Sequence, residues 1–544
     1  MRYSLPIPKV VSIIFILAST VCAWAAPTIT VASPRAGTVG TPTYFDATAS
    51  TASCAGGISA VRIYTAPGVS AFTTNSPHLE TFLNLKPGTY NTVIQAWDNC
   101  GGVSRFPITV TVTGSAGVHV FLPSTTSSTT PVHIAASAEN SACAGGISAV
   151  RIYPSSGVNA FTSSGATLDA FLDLLPGTYN AVAQAWDTCG HVFKTPFTIT
   201  STGGTFGKFL YLADYDLNNI AEFQLNNGAL VNPNGSGAAP QYSVPNKPNS
   251  VAVDPPGNIA YAGLIDGRVS IFDINRANGR LQSKGTISAP GAGPATVTVD
   301  RSGNFLFVAE QGSNSVTSYR INRSSGMLTT IVTVTTANGP DAIITDWSGH
   351  FVYTANFKSD DISGFAINTQ TGTLTAVPGS PFLTGPQPIA ISATSRVVYA
   401  LNNSDGTASG FNINMSSGSL TPAPGSPFLT PECCGIPNML ELDPIHNLFF
   451  YSAIGFTFGT DNITDEVIQS NGSIMGGSSI GGVFNPAAVA LDPSYQFIYT
   501  AEINGFTGAP QLVSIKYASN GTGSIFSGPI ARPAANAIQI AVSR

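Results

Sequence analysis

The sequence predicts an all-β chain: two β-sandwiches, then a seven-bladed β-propeller closed by the first and last strands of that domain. Three observations carry this. A cysteine-bearing block that starts at Ser53 returns at Ala142, 89 residues on (142 − 53). From Lys208 onward a proline-led unit recurs at Pro248, Pro294, Pro340, Pro388, Pro437, Pro486 and Pro533, in steps of 46 to 49 residues. Within each unit, apolar residues alternate with period two in short runs broken by Gly, Ser, Asn and Asp. Gly339 to Leu374 shows this most plainly, and it reads as a meander of short strands.

Composition agrees. Of 544 residues only 9% are charged while 43% are apolar, enough to build several cores. The formal net charge of −6, with no basic run, argues against nucleic acid or an anionic membrane as partner.

The N-terminus reads as an export signal over residues 1–25. Arg2 and Lys9 are its basic region, Val10 to Val21 its apolar stretch, and Ala23-Trp24-Ala25 its cleavage site. The expected location is secreted, periplasmic or cell-surface, with no membrane insertion after cleavage. Cys22 leaves with the signal, so six of the seven cysteines remain in an oxidising compartment.

The first sandwich is expected over 26–113 and the second over 114–202. SCAGGISAVRIY at Ser53 is repeated as ACAGGISAVRIY at Ala142, and PGTYNTVIQAWDNCG at Pro87 as PGTYNAVAQAWDTCG at Pro176. Each block is a set of short strands ending in a Gly-x-Tyr…Ala-Trp-Asp strand. In this they resemble the bacterial Ig-like modules of secreted proteins, which implies a spacer or adhesive role. Cys54 with Cys100, and Cys143 with Cys189, sit at equal spacing in turns just outside strands, so two disulfides are expected. Residues 203–207 are the linker.

The propeller is expected over 208–544. A four-stranded unit every 46 to 49 residues is one blade, and seven prolines count seven blades. Six residues after the proline stands an aspartate in five copies (Asp254, Asp300, Asp346, Asp443, Asp492), placed to cap a turn, with Thr394 in the copy after Pro388. An aromatic marks the second strand at Tyr261, Phe307, Tyr353, Tyr399, Tyr451 and Tyr499. KFLYLAD at Lys208 begins mid-unit and PAANAIQIAVSR at the C-terminus supplies only a first strand, so the two should share a blade. The PxxVxVDxxGxFxYxAN pattern resembles the seven-bladed YVTN and lactonase-type propellers, the family that includes 6-phosphogluconolactonase-like proteins. The resemblance implies lactone hydrolysis.

Candidate ligand-binding residues come from the ends of the second strands, where sevenfold geometry would gather Asp214, Glu310, Asn356, Asn402 and Glu502 around one mouth, with Leu264 and Ile454 in the other two blades. Such a ring suits a polyol or Ca²⁺. No other cofactor or metal is implied. The propeller has two histidines, His350 and His446, both in turns at the opposite face, and no Ser-His-Asp spacing, so no catalytic residue follows from spacing. Cys433-Cys434 is expected to form a vicinal disulfide beside the mouth. The expectation drawn from these residues is a monomeric, non-catalytic binding or scaffold protein engaging a glycan, a small molecule or an envelope protein. Its alternative is a lactonase-like hydrolase with a carboxylate such as Glu310 or Glu502 as base.

Overall fold

The computed structural model describes residues 26–543 except 35–36, 53, 55–56, 75–76, 115, 123–127, 131, 156–160, 173, 175–176, 205–206, 236, 324, 431–434, 444–445, 456–461, 481–482, 484–485, 504–509 and 532–536. The expected export signal, residues 1–25, and the expected Cys433–Cys434 vicinal disulfide lie outside the described residues. Every regular element among the described residues is a strand.

Each N-terminal module packs a three-stranded sheet on a five-stranded one. In the first, Thr28–Ser33, Thr43–Ser50 and His78–Leu83 face a sheet containing Ile58–Ala66, Gly88–Asp98 and Val103–Val112. The second repeats the strand order. Alternation places Val61, Ile63, Ile94, Ala96 and Val110 between the sheets of the first module, all fully buried. Val150, Ile152, Ala183, Ala185 and Ile199 do the same in the second.

Cys54–Cys100 and Cys143–Cys189 are bonded, each across 46 residues. Closing a loop of that length removes denatured-state entropy worth about 4 kcal/mol. A Cys143→Ala/Cys189→Ala chain should therefore lose up to about that much stability in the second module. Urea unfolding followed through Trp186 would show it, and an unshifted midpoint would contradict it.

Residues 209–543 form seven four- or five-stranded antiparallel sheets, here called blades 1 to 7. Blade 2, for example, orders Pro248–Val253, Ile259–Leu264, Arg268–Ile274 and Leu281–Ser288 from inside out. Blade 1 takes its second to fourth strands from Phe209–Asp214, Asn219–Asn226 and Ala229–Val231. Its inner strand is Ala537–Ser543, with Tyr211 opposite Ala541. The inner strands of blades 2 to 7 touch in chain order, and Ala537–Ser543 touches those of both blade 2 and blade 7.

Two repeated devices hold this arrangement. The aspartates cap the turn after the inner strand: Asp254 Oδ1 accepts from the Asn258 and Ile259 N–H, and Asp346 Oδ1 from His350 and Phe351. Thr394 does the same for Arg396 and Val397 across a shorter turn. Between blades, the Tyr211, Tyr261, Tyr353 and Tyr399 hydroxyls donate to the carbonyls of Gly279, Gly326, Gly418 and Gly472, each in the next blade, at 2.7 to 2.9 Å. Gly279 has φ +78°, and a Cβ there would stand 2.3 Å from the Phe209 ring, so only glycine lets the blades close up.

The strand register corrects one alignment. Tyr211, Tyr261, Phe307, Tyr353, Tyr399 and Tyr499 oppose equivalent inner-strand positions, but in blade 6 the residue in that column is Phe450, opposite Glu441, and not Tyr451.

Candidate functional site

The five mouth candidates do not form an open rim. Asp214 is 1% exposed, and Glu310, Asn356, Asn402 and Glu502 are 0% exposed. Each is engaged inside its own blade. Glu310 accepts from Ser315 Oγ (2.7 Å), Thr317 Oγ1 (3.0 Å) and the Gly291 N–H (3.1 Å). Asn356 donates to Asp361 and Ser363, and Asn402 to Thr407 and Ser409. In all three the partners stand five and seven residues ahead. Glu502 accepts from Gln511 Nε2 at 2.5 Å, and Asp214 from the Leu217 N–H at 3.2 Å. A buried turn between second and third strands needs its hydroxyls and amides paired, and these residues supply the partners. Among the described residues, no group of three potential metal ligands includes any of the five. The register also puts Ala453, not Ile454, in the blade 6 place of this column.

His350 and His446 are structural as well. His350 Nε2–H donates to the Thr162 carbonyl at 2.8 Å, and His446 Nδ1 lies 2.6 Å from Asp443.

The concave site lies at the other end of the channel, where the inner strands finish. A cavity of about 300 Å³ is lined there by residues of all seven blades, among them Thr298, Thr345, Ser392, Glu441 and Ile540. That is the small end of the range for small-molecule sites, ~300–1,000 Å³. Part of its lining is aromatic and basic. The Arg301 guanidinium stacks 3.8 Å above the Trp347 ring, and Trp347 meets Tyr495 from blade 7 at 5.9 Å. Arg301 and Trp347 occupy the same place in consecutive blades, one residue after the capping aspartate.

Glu441 is the residue the sequence reading passed over. In the inner-strand column opposite the second-strand aromatics stand Ala541, Ala252, Thr298, Ile344, Ser392, Glu441 and Ala490. Glu441 is the one charged member. Burial in the channel pushes its carboxyl up to about 8, against the opposing pull of the Arg301 guanidinium. A carboxyl that titrates near neutrality, in a cavity also lined by Arg301 and the hydroxyl residues Thr298, Thr345 and Ser392, can accept and return a proton in that range. Asp254, also lining the cavity, is held at about 6 by burial against its two backbone donors, which occupy it as a cap.

Comparison with known proteins bears on this geometry. The family model of the lactonase seven-bladed β-propeller matches residues 197–345. That stretch runs from the last strand of the second module through the inner strand of blade 4. A 6-phosphogluconolactonase of Formosa agariphila is 35% identical over 81 residues, 14% of this chain, and the chain spans only 23% of that relative's length. Among solved structures, the periplasmic gluconolactonase of Pseudomonas aeruginosa aligns at 14% identity and TM-score 0.50, covering 62% of this chain and 99% of its own. A Bacteroides fragilis protein provisionally described as a 6-phosphogluconolactonase aligns at 15% identity and TM-score 0.50, over 62% of this chain and 98% of that one. These two likenesses concern the lactonase-type propeller fold. The family match and the 35%-identical relative correct the expectation of a non-catalytic scaffold and favour its lactonase-like alternative.

Proposed function

We propose that this protein is a lactone hydrolase whose reaction takes place in the channel cavity at the ends of the inner strands. One observation carries the reading: Glu441, alone in its column, faces that cavity within the field of Arg301. The match of the lactonase propeller family to residues 197–345 supports the reaction class. The Glu441 carboxylate would take a proton from water as the water oxygen attacks the lactone carbonyl carbon. Arg301 would stabilise the resulting oxyanion. On collapse the ring C–O bond breaks, the protonated Glu441 returns its proton to the departing alkoxide, and a hydroxy acid leaves. The hydroxyls of Thr298, Thr345 and Ser392 offer partners for a polyhydroxylated ring, and about 300 Å³ suits a monosaccharide lactone better than a polymer.

The same reading treats residues 26–113 and 114–202 as Ig-like modules and 208–544 as a propeller closed through Ala537–Ser543. It places the mature protein outside the cytoplasm, with the export signal and the two disulfides as support.

The experiment is a panel of γ- and δ-sugar lactones given to the chain starting at Ala26, with acid release followed in a pH-stat. Release above the spontaneous rate for at least one member is expected. Spontaneous rates throughout would sink the proposal.

A further inference from the structure

We infer that the two N-terminal modules hold the channel site in shape, with Arg323 and His350 as positioning residues that tie them to the turns bearing Arg301 and Trp347. This rests on the reading of the cavity as the reactive site. Two separate junctions carry it.

At the first, Arg323 follows the third strand of blade 3 and is 17% exposed. Its Nη1 donates to Glu80 of the first module and to Asp169 of the second, both at 2.7 Å. Its Nη2 donates to the Ser302 carbonyl. Ser302 is the neighbour of Arg301, and its hydroxyl and N–H are bound to the capping Asp300. One guanidinium thus joins both modules to the turn that aims Arg301 over Trp347. Tyr44 Oη donates to Glu80 at 2.6 Å, and His133 Nε2 lies 2.7 Å from Asp169 and 3.4 Å from Glu80. Burial pushes the Glu80 carboxyl up, but Arg323, His133 and His78 outweigh it and hold it at about 2, so the junction keeps its charge at neutral pH.

At the second junction, the strand Phe161–Ser164 of the second module sits on blade 4. Thr162 accepts from His350 Nε2–H, and the Phe161 ring stacks on the imidazole at 6.2 Å and 19°. The Ser164 N–H donates to Thr369 Oγ1 at 3.1 Å. His350 belongs to the turn that carries Trp347, and its N–H is bound to Asp346. Both turns that supply this part of the lining are therefore tied to the modules outside the propeller. A spacer would need neither grip.

The test uses the chain from Ala26 with Trp97→Phe and Trp186→Phe, which leaves Trp347 as its one tryptophan. In that background Arg323→Met and Asp169→Asn are compared with the parent, by acrylamide quenching of Trp347 and by lactone hydrolysis. Quenching should rise about twofold or more as these turns loosen, and kcat/KM should fall about tenfold, mostly through KM. Arg323→Lys, which keeps the charge but not the three-way fork, should recover part of both. Unchanged quenching and kinetics in variants that still melt cooperatively would overturn the inference. Should Arg323→Met fail to fold, Asp169→Asn decides alone, because it breaks the tie to the second module while Glu80 keeps the tie to the first and the chain folded. Quenching that rises in a chain opening no lactone would remove the catalytic reading and leave the positioning role standing. Hydrolysis that proceeds equally in all variants would do the reverse.

Discussion

Replacing Glu441 with glutamine should slow lactone opening about a thousandfold, through kcat rather than KM, since a positioned proton acceptor is worth about 10²–10⁴ in rate. Glutamine keeps the shape and the hydrogen-bonding capacity of the side chain, so the cavity should persist and substrate should still bind. The pH profile gives a second reading. The active form is the carboxylate, and its carboxyl titrates at about 8 in the folded protein. Wild-type kcat/KM should therefore rise with pH up to about 8 and level off above it, while the residual rate of the variant should lack that limb. Stability moves the other way. Folding raises this carboxyl above its ordinary value, so the folded state binds the proton more tightly than the unfolded chain. The contribution is present at acid pH and lost as pH rises through about 8. At pH 9 the glutamine variant should be about 1–2 kcal/mol more stable than its parent. Melting curves at pH 6 and pH 9 would check the sign, and a variant less stable than its parent at pH 9 would refute it.

Deleting residues 535–544 should be the most damaging change to the scaffold. The strand Ala537–Ser543 supplies the inner edge of blade 1, pairing with Phe209–Asp214. Ile540 is 5% exposed in a cluster shared with Leu210, Leu212, Tyr499 and Ala501, and Gln539 accepts from the Val251 N–H of blade 2 at 3.0 Å. Removal strips apolar contacts worth about 1.5–3 kcal/mol for each large side chain and leaves the edge of Phe209–Asp214 unpaired. The melting temperature of the propeller should drop by more than about 10 °C, with aggregation of the truncated chain. A truncated chain that melted with its parent would mean that blade 1 does not depend on this strand.

The scaffold was legible because a repeat multiplies weak signals. Prolines, aspartates and aromatics recur at near-constant spacing, and a propeller uses six of the seven prolines at equivalent places, Ala537 standing in blade 1 where Pro248 stands in blade 2 and Phe450 rather than Tyr451 in the aromatic column. The paired cysteines were legible for the same reason. The reactive site was not, because chemistry requires a departure from the repeat. The polar residues at the second-strand ends drew attention by being polar, yet Glu310, Asn356 and Asn402 follow a common rule of partners five and seven residues ahead and belong to the scaffold. Glu441 breaks its column, four residues after Pro437, where other copies carry Ala, Thr, Ile or Ser. That signal was present in the sequence, but nothing in the spacing says which column faces the channel. The grip of Glu80 and Asp169 on Arg323 spans 243 and 154 residues and leaves no local pattern at all.

The most direct measurement compares the two ends of the channel in one assay. Glu441→Gln and Glu502→Gln chains, each corrected for folded fraction, are given the best lactone of the panel and their kcat/KM is read beside the wild type. The channel-cavity account predicts that hydrolysis collapses in Glu441→Gln and stays within about threefold of wild type in Glu502→Gln, since a buried scaffold carboxylate acts on stability and not on the reaction. Collapse in Glu502→Gln with full activity in Glu441→Gln would contradict it and return the chemistry to the opposite mouth.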